Sequence, residues 1–109
     1  MSPLQRSMKL LREEGWLVEK VEFWNPWSKT RHDLFGILDL LCIYKGLFTA
    51  IHGRTLGVQV TTLGQRKPHL KKMKESKNLE LLKKAGWGIE LHSWRKLKKT
   101  GWTNKVETL

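Results

Sequence analysis

The first element predicted by the spacing of apolar residues is a helix over residues 3–14. Its apolar positions recur at helical intervals of three and four, at Leu4, Met8 and Leu11. Ser2 is a suitable N-cap, and Gly15 stands where a helix would end. One face of this helix is therefore expected to pack against the rest of the chain.

Four later stretches have the two-residue alternation or the continuous apolar run of β-strands. They cover residues 16–24, a strand that starts near residue 34 and ends at residue 44, residues 56–62, and residues 87–94. Asn25-Pro26 ends the first of them, and Gly36 indicates a bulge or a close backbone approach in the second. Residues 47–55 fit either a short extra strand or an irregular connection.

The pattern returns to helical spacing over residues 65–85. Pro68 fits the first turn and Gly86 fits the end, while the outer face is strongly basic. The apolar stripe consists of Leu70, Met73, Leu81 and Ala85. Together the elements predict one α/β domain over residues 1–109, with a central mixed four-stranded sheet flanked by two helices.

Charge narrows the set of partners. The chain has 21 Lys and Arg against 10 Asp and Glu, a formal net charge of +11. This balance favours a polyanion, with nucleic acid ahead of an anionic membrane surface. No apolar run reaches the roughly 20 residues of a membrane span, and no signal peptide is recognisable. We therefore expect an intracellular, cytoplasmic protein, in which the single cysteine, Cys42, is a small core residue.

Two carboxylates stand out because they lie in an almost wholly apolar stretch. Asp33 and Asp39 flank the run Leu-Phe-Gly-Ile-Leu, and an ionised carboxylate in such surroundings needs a hydrogen bond, a counter-charge or a metal. Side chains alternate across a strand, so Gln59 and Thr61 share one face of the strand over residues 56–62. If the two strands pair, Asp39, Gln59 and Thr61 converge on one patch.

The remaining acids and histidines leave alternatives open. We interpret Glu14 as a solvated residue at the end of the first helix. Glu22 is either an exposed acid paired with Lys20 or a third acid of the patch. The histidines have no metal-ligand spacing and read as surface or capping residues: His32, His52, His69 and His92. Bases interleaved with Trp94 and Trp102 fit either nucleic-acid contact or core packing.

The segments Asp33-Leu-Phe-Gly-Ile-Leu-Asp39 and Gly57-Val-Gln-Val-Thr61, followed by a basic helix, resemble the PD-(D/E)xK nuclease superfamily. The resemblance is greatest to small phage and bacterial members related to Holliday-junction resolvases and VRR-NUC domains. It implies a restriction-endonuclease-like αβββαβ core. It also implies a site for Mg²⁺ or Mn²⁺, in which the ligands are Asp39, the amide of Gln59 and the backbone carbonyl of Val60.

The chain departs from that superfamily at two points. Thr61 stands where relatives carry a catalytic lysine, and Lys71 and Lys72 are candidates for a relocated one. No acid lies early in the first helix, so Glu14, Glu22 or Asp33 would have to supply the first acid. Among these, Asp33 is our candidate accessory acid.

The expected function is metal-dependent endonucleolytic cleavage of DNA by a bacterial or phage-encoded protein. The phosphate-binding candidates are Arg66, Lys67, Lys71 and Lys74. Two alternatives stay open. One is a nucleic-acid-binding protein of the same fold without catalysis, and the other is a basic structural protein in which Asp39 anchors a buried arginine. A homodimer is a candidate assembly.

Overall fold

The computed structural model describes residues 1–45 and 55–109, and it has an α/β architecture with a mixed five-stranded sheet and a separate two-stranded sheet. Three α-helices and one 3₁₀ turn complete the described part of the chain. In chain order the elements are α1 (Pro3–Glu13), β1 (Trp16–Lys20), β2 (Phe23–Asn25), β3 (Thr30–His32), β4 (Leu40–Tyr44), β5 (Thr55–Thr62), the 3₁₀ turn (Leu63–Gln65), α2 (Arg66–Glu75), α3 (Lys77–Lys84), β6 (Gly88–Leu97) and β7 (Gly101–Thr108).

Helix α1 begins as its sequence predicts. The side chain of Ser2 accepts a hydrogen bond from the backbone of Gln5, and the side chain of Gln5 accepts one from the backbone of Ser2. This reciprocal capping satisfies two amides that a helix start leaves unpaired. Gly15 follows the helix with a φ of 100°, a conformation that glycine adopts at little cost. The prediction of a first helix is confirmed.

The large sheet has the order β1-β4-β5-β6-β7. Strands β1, β4 and β5 pair antiparallel, β5 and β6 pair parallel, and β7 returns antiparallel along β6. Parallel neighbours need a crossover connection, and α2 and α3 supply it between β5 and β6. Because β4 runs against β5, the start of β4 and the end of β5 lie at the same edge of the sheet.

Helices cover both faces of this sheet, and each face has its own hydrophobic core. The core beneath α1 contains Leu11, Trp16, Val18, Leu40, Cys42, Leu56 and Val58. The core beneath α2 and α3 contains Ile37, Leu38, Met73, Leu79, Leu82, Ile89 and Leu91. Gly57 is required here, since a Cβ at that position would lie 2.5 Å from a methyl group of Leu38. Cys42 is fully buried, as predicted.

The number and limits of the strands differ from the sequence prediction. Residues 16–24 form two strands, and β2 leaves the large sheet to pair with β3. The strand predicted from residue 34 begins only at Leu40, because residues 33–39 fold into a tight turn closed by Leu34 and Leu38. Phe35 and Gly36 take positive φ values in that turn.

Two further differences lie in the C-terminal half. The basic stretch predicted as one helix is divided at Ser76, which is extended and caps α3 through a bond from the amide of Asn78. Strand β7 was not predicted, and with it the large sheet has five strands where four were expected. The strands predicted over residues 56–62 and 87–94 are confirmed as β5 and β6. Most of the open segment 47–55 lies outside the described residues, while Thr55 begins β5.

No helix within residues 1–45 and 55–109 combines the length and apolar character needed to cross a membrane.

Candidate metal centre

Asp39 lies at the edge where β4 starts and β5 ends, immediately before Leu40. Its amide donates a hydrogen bond to the carbonyl of Val58 (2.9 Å), and the amide of Val60 donates to its carboxylate Oδ2, also at 2.9 Å. The side chain is 4% exposed. Backbone contacts with β5 therefore fix this carboxylate beside the last residues of that strand.

Two other acids meet Asp39 there. The turn over residues 33–39 folds back on itself, with the amide of Gly36 bonded to the carbonyl of Asp33, and returns Asp33 to the same place. Glu22 follows Val21, whose amide donates to the carbonyl of Asp39 at 2.8 Å. One carboxylate oxygen from each of Glu22, Asp33 and Asp39 lies within 4.8 Å of the others. Glu14 is not in this cluster and lies exposed at the end of α1.

Burial and neighbouring acids both act on the carboxylate of Asp39. Burial raises the pKa of Asp39 to about 8; the bond from Val60 opposes that increase, and the charges of Asp33 and Glu22 add to it. Near neutral pH, Asp39 therefore holds a proton unless a cation replaces it. Among the described residues, no Lys or Arg lies within ion-pair distance of Asp39.

Gln59 adds an oxygen atom to the same pocket. Its side chain is 4% exposed, and its Oε1 has no hydrogen-bond partner within the part of the chain that the structure describes. A buried carbonyl oxygen left unpaired costs about 1–3 kcal/mol. Carboxylate and amide oxygens together form a donor set suited to Mg²⁺, Mn²⁺ or Ca²⁺. The residues present therefore fit a hard divalent cation.

These groups line one open pocket of about 560 Å³. Its walls include Asp33, Asp39, Gln59 and Thr61, so the prediction that Asp39, Gln59 and Thr61 share a patch is confirmed. Val60 also lines it, with its amide bonded to Asp39. Sequence reasoning did not place three other wall residues at this site: Lys20, Arg31 and His69.

His69 connects the pocket to the first turn of α2. Its Nδ1 lies 2.9 Å from the carbonyl oxygen of Gln65 and 3.2 Å from the hydroxyl of Thr61. A carbonyl oxygen can only accept, so Nδ1 carries the proton and Nε2 is the basic nitrogen of the neutral ring. Thr61 and His69 are eight residues apart in the sequence and are separated by one turn, and this short separation is the feature that could have indicated their contact.

The cations nearest the acids come from three different elements. Lys72 of α2 places Nζ 3.9 Å from Asp33 Oδ2. Lys20 and Arg31 lie 4.0 and 3.9 Å from the carboxylate of Glu22. Glu22 therefore pairs with Lys20, as one interpretation expected, and also joins the acid cluster; its side chain is only 10% exposed, so it is not the exposed acid of the first interpretation. Of the two candidate lysines of α2, Lys72 has an ion pair with the cluster.

The four residues predicted to contact phosphate do not have equal environments. Lys67, Lys71 and Lys74 are exposed on α2. Arg66 is instead engaged with Glu107 of β7 through two hydrogen bonds, and that guanidinium holds the pKa of Glu107 below its usual range. Because β7 was not predicted, its acid could not be foreseen as a partner of Arg66.

A second cluster of polar residues lies on the opposite face of the sheet, beneath α1. Trp94 Nε1 donates to Ser7 Oγ at 2.7 Å, Ser7 Oγ lies 2.9 Å from His92 Nδ1, and His92 Nε2 lies 3.0 Å from Glu90 Oε1. A carboxylate can only accept, so His92 Nε2 donates to Glu90; in the neutral ring Nδ1 then accepts the hydrogen bond from the Ser7 hydroxyl. His92 is 1% exposed, so the prediction of a surface or capping residue was wrong for it.

Comparisons of the chain with protein-family models, with curated proteins and with solved structures return no match.

Proposed function

We propose that this chain is a nuclease that hydrolyses DNA phosphodiester bonds with Mg²⁺ or Mn²⁺ bound at the pocket of Asp39. One observation carries the proposal. Three carboxylates converge within 4.8 Å, and the same pocket is lined by Gln59, whose buried amide oxygen has no hydrogen-bond partner among the described residues. Either feature alone has structural explanations, but together they form a set of oxygen donors that fits a hard divalent cation.

The proposal has support from the resemblance to the PD-(D/E)xK superfamily. The antiparallel strands β1, β4 and β5 follow α1, and a helical crossover leads from β5 to the parallel strand β6. This order supports the proposal, because the resemblance implies an αβββαβ core. The resemblance assigns metal binding to Asp39, which lies just before β4, and to Gln59 of β5.

Each residue has a role that follows from its position. Asp39 and Gln59 would hold the ion, with the carbonyl of Val60 as the third ligand implied by the resemblance, and Asp33 and Glu22 would supply charge around it. When bound, the ion would neutralise charge that builds on the phosphate and acidify the attacking water. Lys72, beside Asp33, would supply the ammonium that relatives carry at the position of Thr61. Lys20 and Arg31 would hold the DNA phosphate at the pocket wall.

A DNA-binding protein of this fold without catalysis is the second candidate. The observation that favours it is Thr61, which places a hydroxyl where relatives have an ammonium. The third candidate, a structural protein, required Asp39 to anchor an arginine. Within the described residues, Asp39 instead accepts a hydrogen bond from the amide of Val60, which weighs against that candidate.

Cleavage assays separate the first two candidates. Purified protein should be incubated with supercoiled plasmid, linear duplex, flapped DNA and four-way junctions, in Mg²⁺, in Mn²⁺ and in EDTA. We expect cleavage of at least one substrate with metal and none in EDTA. Salt-dependent DNA binding without cleavage under any of these conditions would replace the nuclease by the non-catalytic binder.

A further inference from the structure

The hairpin of β2 and β3 presents tryptophans to solvent directly beside the pocket. Trp27 at its tip is 94% exposed, and Trp24 is 58% exposed. Phe23 is also exposed and stacks on His32, with ring centroids 5.3 Å apart. Burying a tryptophan side chain in a core is strongly favourable, so two exposed ones on a short hairpin indicate contact with another molecule.

Local hydrogen bonds hold the tip of this hairpin in place. Asn25 Oδ1 accepts bonds from the amides of Trp27 (3.0 Å) and Ser28 (3.4 Å). The hydroxyls of Ser28 and Thr30 lie 2.6 Å apart, and Lys29 takes a φ of 53° to complete the turn. The exposure of Trp27 is therefore a consequence of an organised turn.

The hairpin is also basic and is continuous with the pocket. Residues 23–32 contain Lys29 and Arg31 and no acid. Trp24 lies directly opposite Arg31 in the hairpin, and the guanidinium of Arg31 reaches to 3.9 Å from Glu22 in the acid cluster. Arg31 lines the pocket itself. A molecule on the Trp24 face of the hairpin would therefore run toward Asp39.

We propose that the aromatic hairpin, residues 23–32, binds unpaired bases of DNA next to the phosphate to be cut. Aromatic side chains interleaved with bases hold single strands by stacking and by charge. Paired bases are stacked within a duplex and offer only their edges, so stacking on Trp24 and Trp27 selects an unpaired segment. The inference rests on the proposed nuclease function, and it names the substrate class as single-stranded, flapped or otherwise unpaired DNA.

Binding in EDTA tests the hairpin without catalysis. Fluorescence anisotropy would give the affinity of the whole chain for a labelled oligothymidylate and for a duplex of equal length. Trp24→Ala and Trp27→Ala should each weaken oligothymidylate binding by about tenfold, the scale of one lost stacking contact, and change duplex binding less than about twofold. Trp102→Ala is the matched control. Trp102 is a partly exposed residue of β7, its ring stacks against the guanidinium of Arg6, and β7 is the edge strand at the other side of the sheet from β1.

A second pair of variants guards against misfolding of the hairpin. Trp27→Phe keeps an aromatic ring and should retain most of the affinity, while Trp27→Leu keeps an apolar side chain and should lose it. Equal affinities for the Phe and Leu variants would overturn the inference, as would equal losses on oligothymidylate and duplex. Binding of the wild type to vesicles of anionic phospholipid that depends on Trp27, with unchanged DNA binding, would overturn it in favour of a membrane surface.

The outcomes also separate this inference from the proposed function. Tryptophan-dependent binding of oligothymidylate in a protein that cuts no DNA would remove the nuclease and keep the hairpin as a single-strand site. Metal-dependent cleavage that Trp24→Ala and Trp27→Ala leave unchanged on every substrate would keep the nuclease and remove the hairpin.

Discussion

Two buried carboxylates on opposite faces of the same sheet have contrasting surroundings. Glu90, beneath α1, accepts a hydrogen bond from His92, which continues through Ser7 to the indole of Trp94. Asp39, at the edge of the sheet, has two acids beside it and shares a pocket with Gln59, whose amide oxygen has no hydrogen-bond partner among the described residues. The first arrangement is satisfied by the protein alone, whereas the second brings like charges together, and we propose that a cation offsets them. A buried acid is therefore informative about function only together with its partners.

The largest effect is expected from Asp39→Asn. The change keeps the shape of the side chain and an oxygen for the amide of Val60, but it removes the charge that holds the cation. Cleavage should fall by about 10³-fold or more, on the order of 4 kcal/mol of barrier, while DNA affinity stays equal or rises slightly. Plasmid-nicking rates and anisotropy measure the two effects. Cleavage at wild-type rate would remove Asp39 from the reaction.

For His92→Ala we expect a loss of stability and no loss of metal binding. The change removes two buried hydrogen bonds and leaves a cavity between α1 and β6, so the free energy of unfolding should fall by about 2–4 kcal/mol. Urea denaturation measures this loss. At a temperature where the variant is folded, its affinity for Mn²⁺ should match that of the wild type. A selective loss of Mn²⁺ binding would contradict the separation of the two faces.

Lys72→Ala tests which cation serves the pocket. If its ammonium stabilises charge on the phosphate, the cleavage rate should fall by about 10²-fold with little change in affinity. Lys71→Ala is the matched control, since Lys71 is an equally exposed neighbour on α2. Adding Thr61→Lys to Lys72→Ala should restore part of the rate. Equal effects of Lys71→Ala and Lys72→Ala would indicate only a general contribution of charge.

A further effect is the pH dependence of stability without metal. The pKa of Asp39 is raised from 3.8 to about 8 in the folded protein. Between these pH values the folded state binds more protons than the unfolded state, so the contribution of Asp39 to stability falls as pH rises through about 8. In EDTA, the Asp39→Asn variant should therefore gain stability relative to wild type as pH rises from 5 to about 8. Parallel stability profiles from urea denaturation would contradict this.

The candidate site was more predictable from the sequence than its surroundings were. Alternation along a strand places Gln59 and Thr61 on one face, and pairing of two neighbouring strands brings Asp39 to them. The position of Asp33 was not predictable, because it depends on the turn closed by Leu34 and Leu38, with Phe35 and Gly36 at positive φ. A run of apolar residues predicts a strand whether the chain there is extended or folded back on itself.

The second buried cluster was missed for a different reason. Alternation along β6 puts Ile89 and Leu91 on one face and Glu90 and His92 on the other, and His92 was predicted to be a surface or capping residue. Helices cover both faces of this sheet, so both faces of β6 are buried. Strand β7 was missed because its residues are mostly polar and basic and only pairing along β6 makes them a strand. The division between α2 and α3 at Ser76 was not predicted, because no Gly or Pro stands there to indicate it.

Binding of Mn²⁺ measured by calorimetry tests the central claim most directly, because it needs neither substrate nor turnover. Wild type should bind one ion per chain, and Asp39→Asn and Gln59→Leu should each remove that binding or weaken it by about tenfold or more. Glu19→Gln, an exposed acid on β1 outside the cluster, should bind as the wild type does. Equal binding by all four proteins, or no binding by the wild type at millimolar Mn²⁺, would contradict the account.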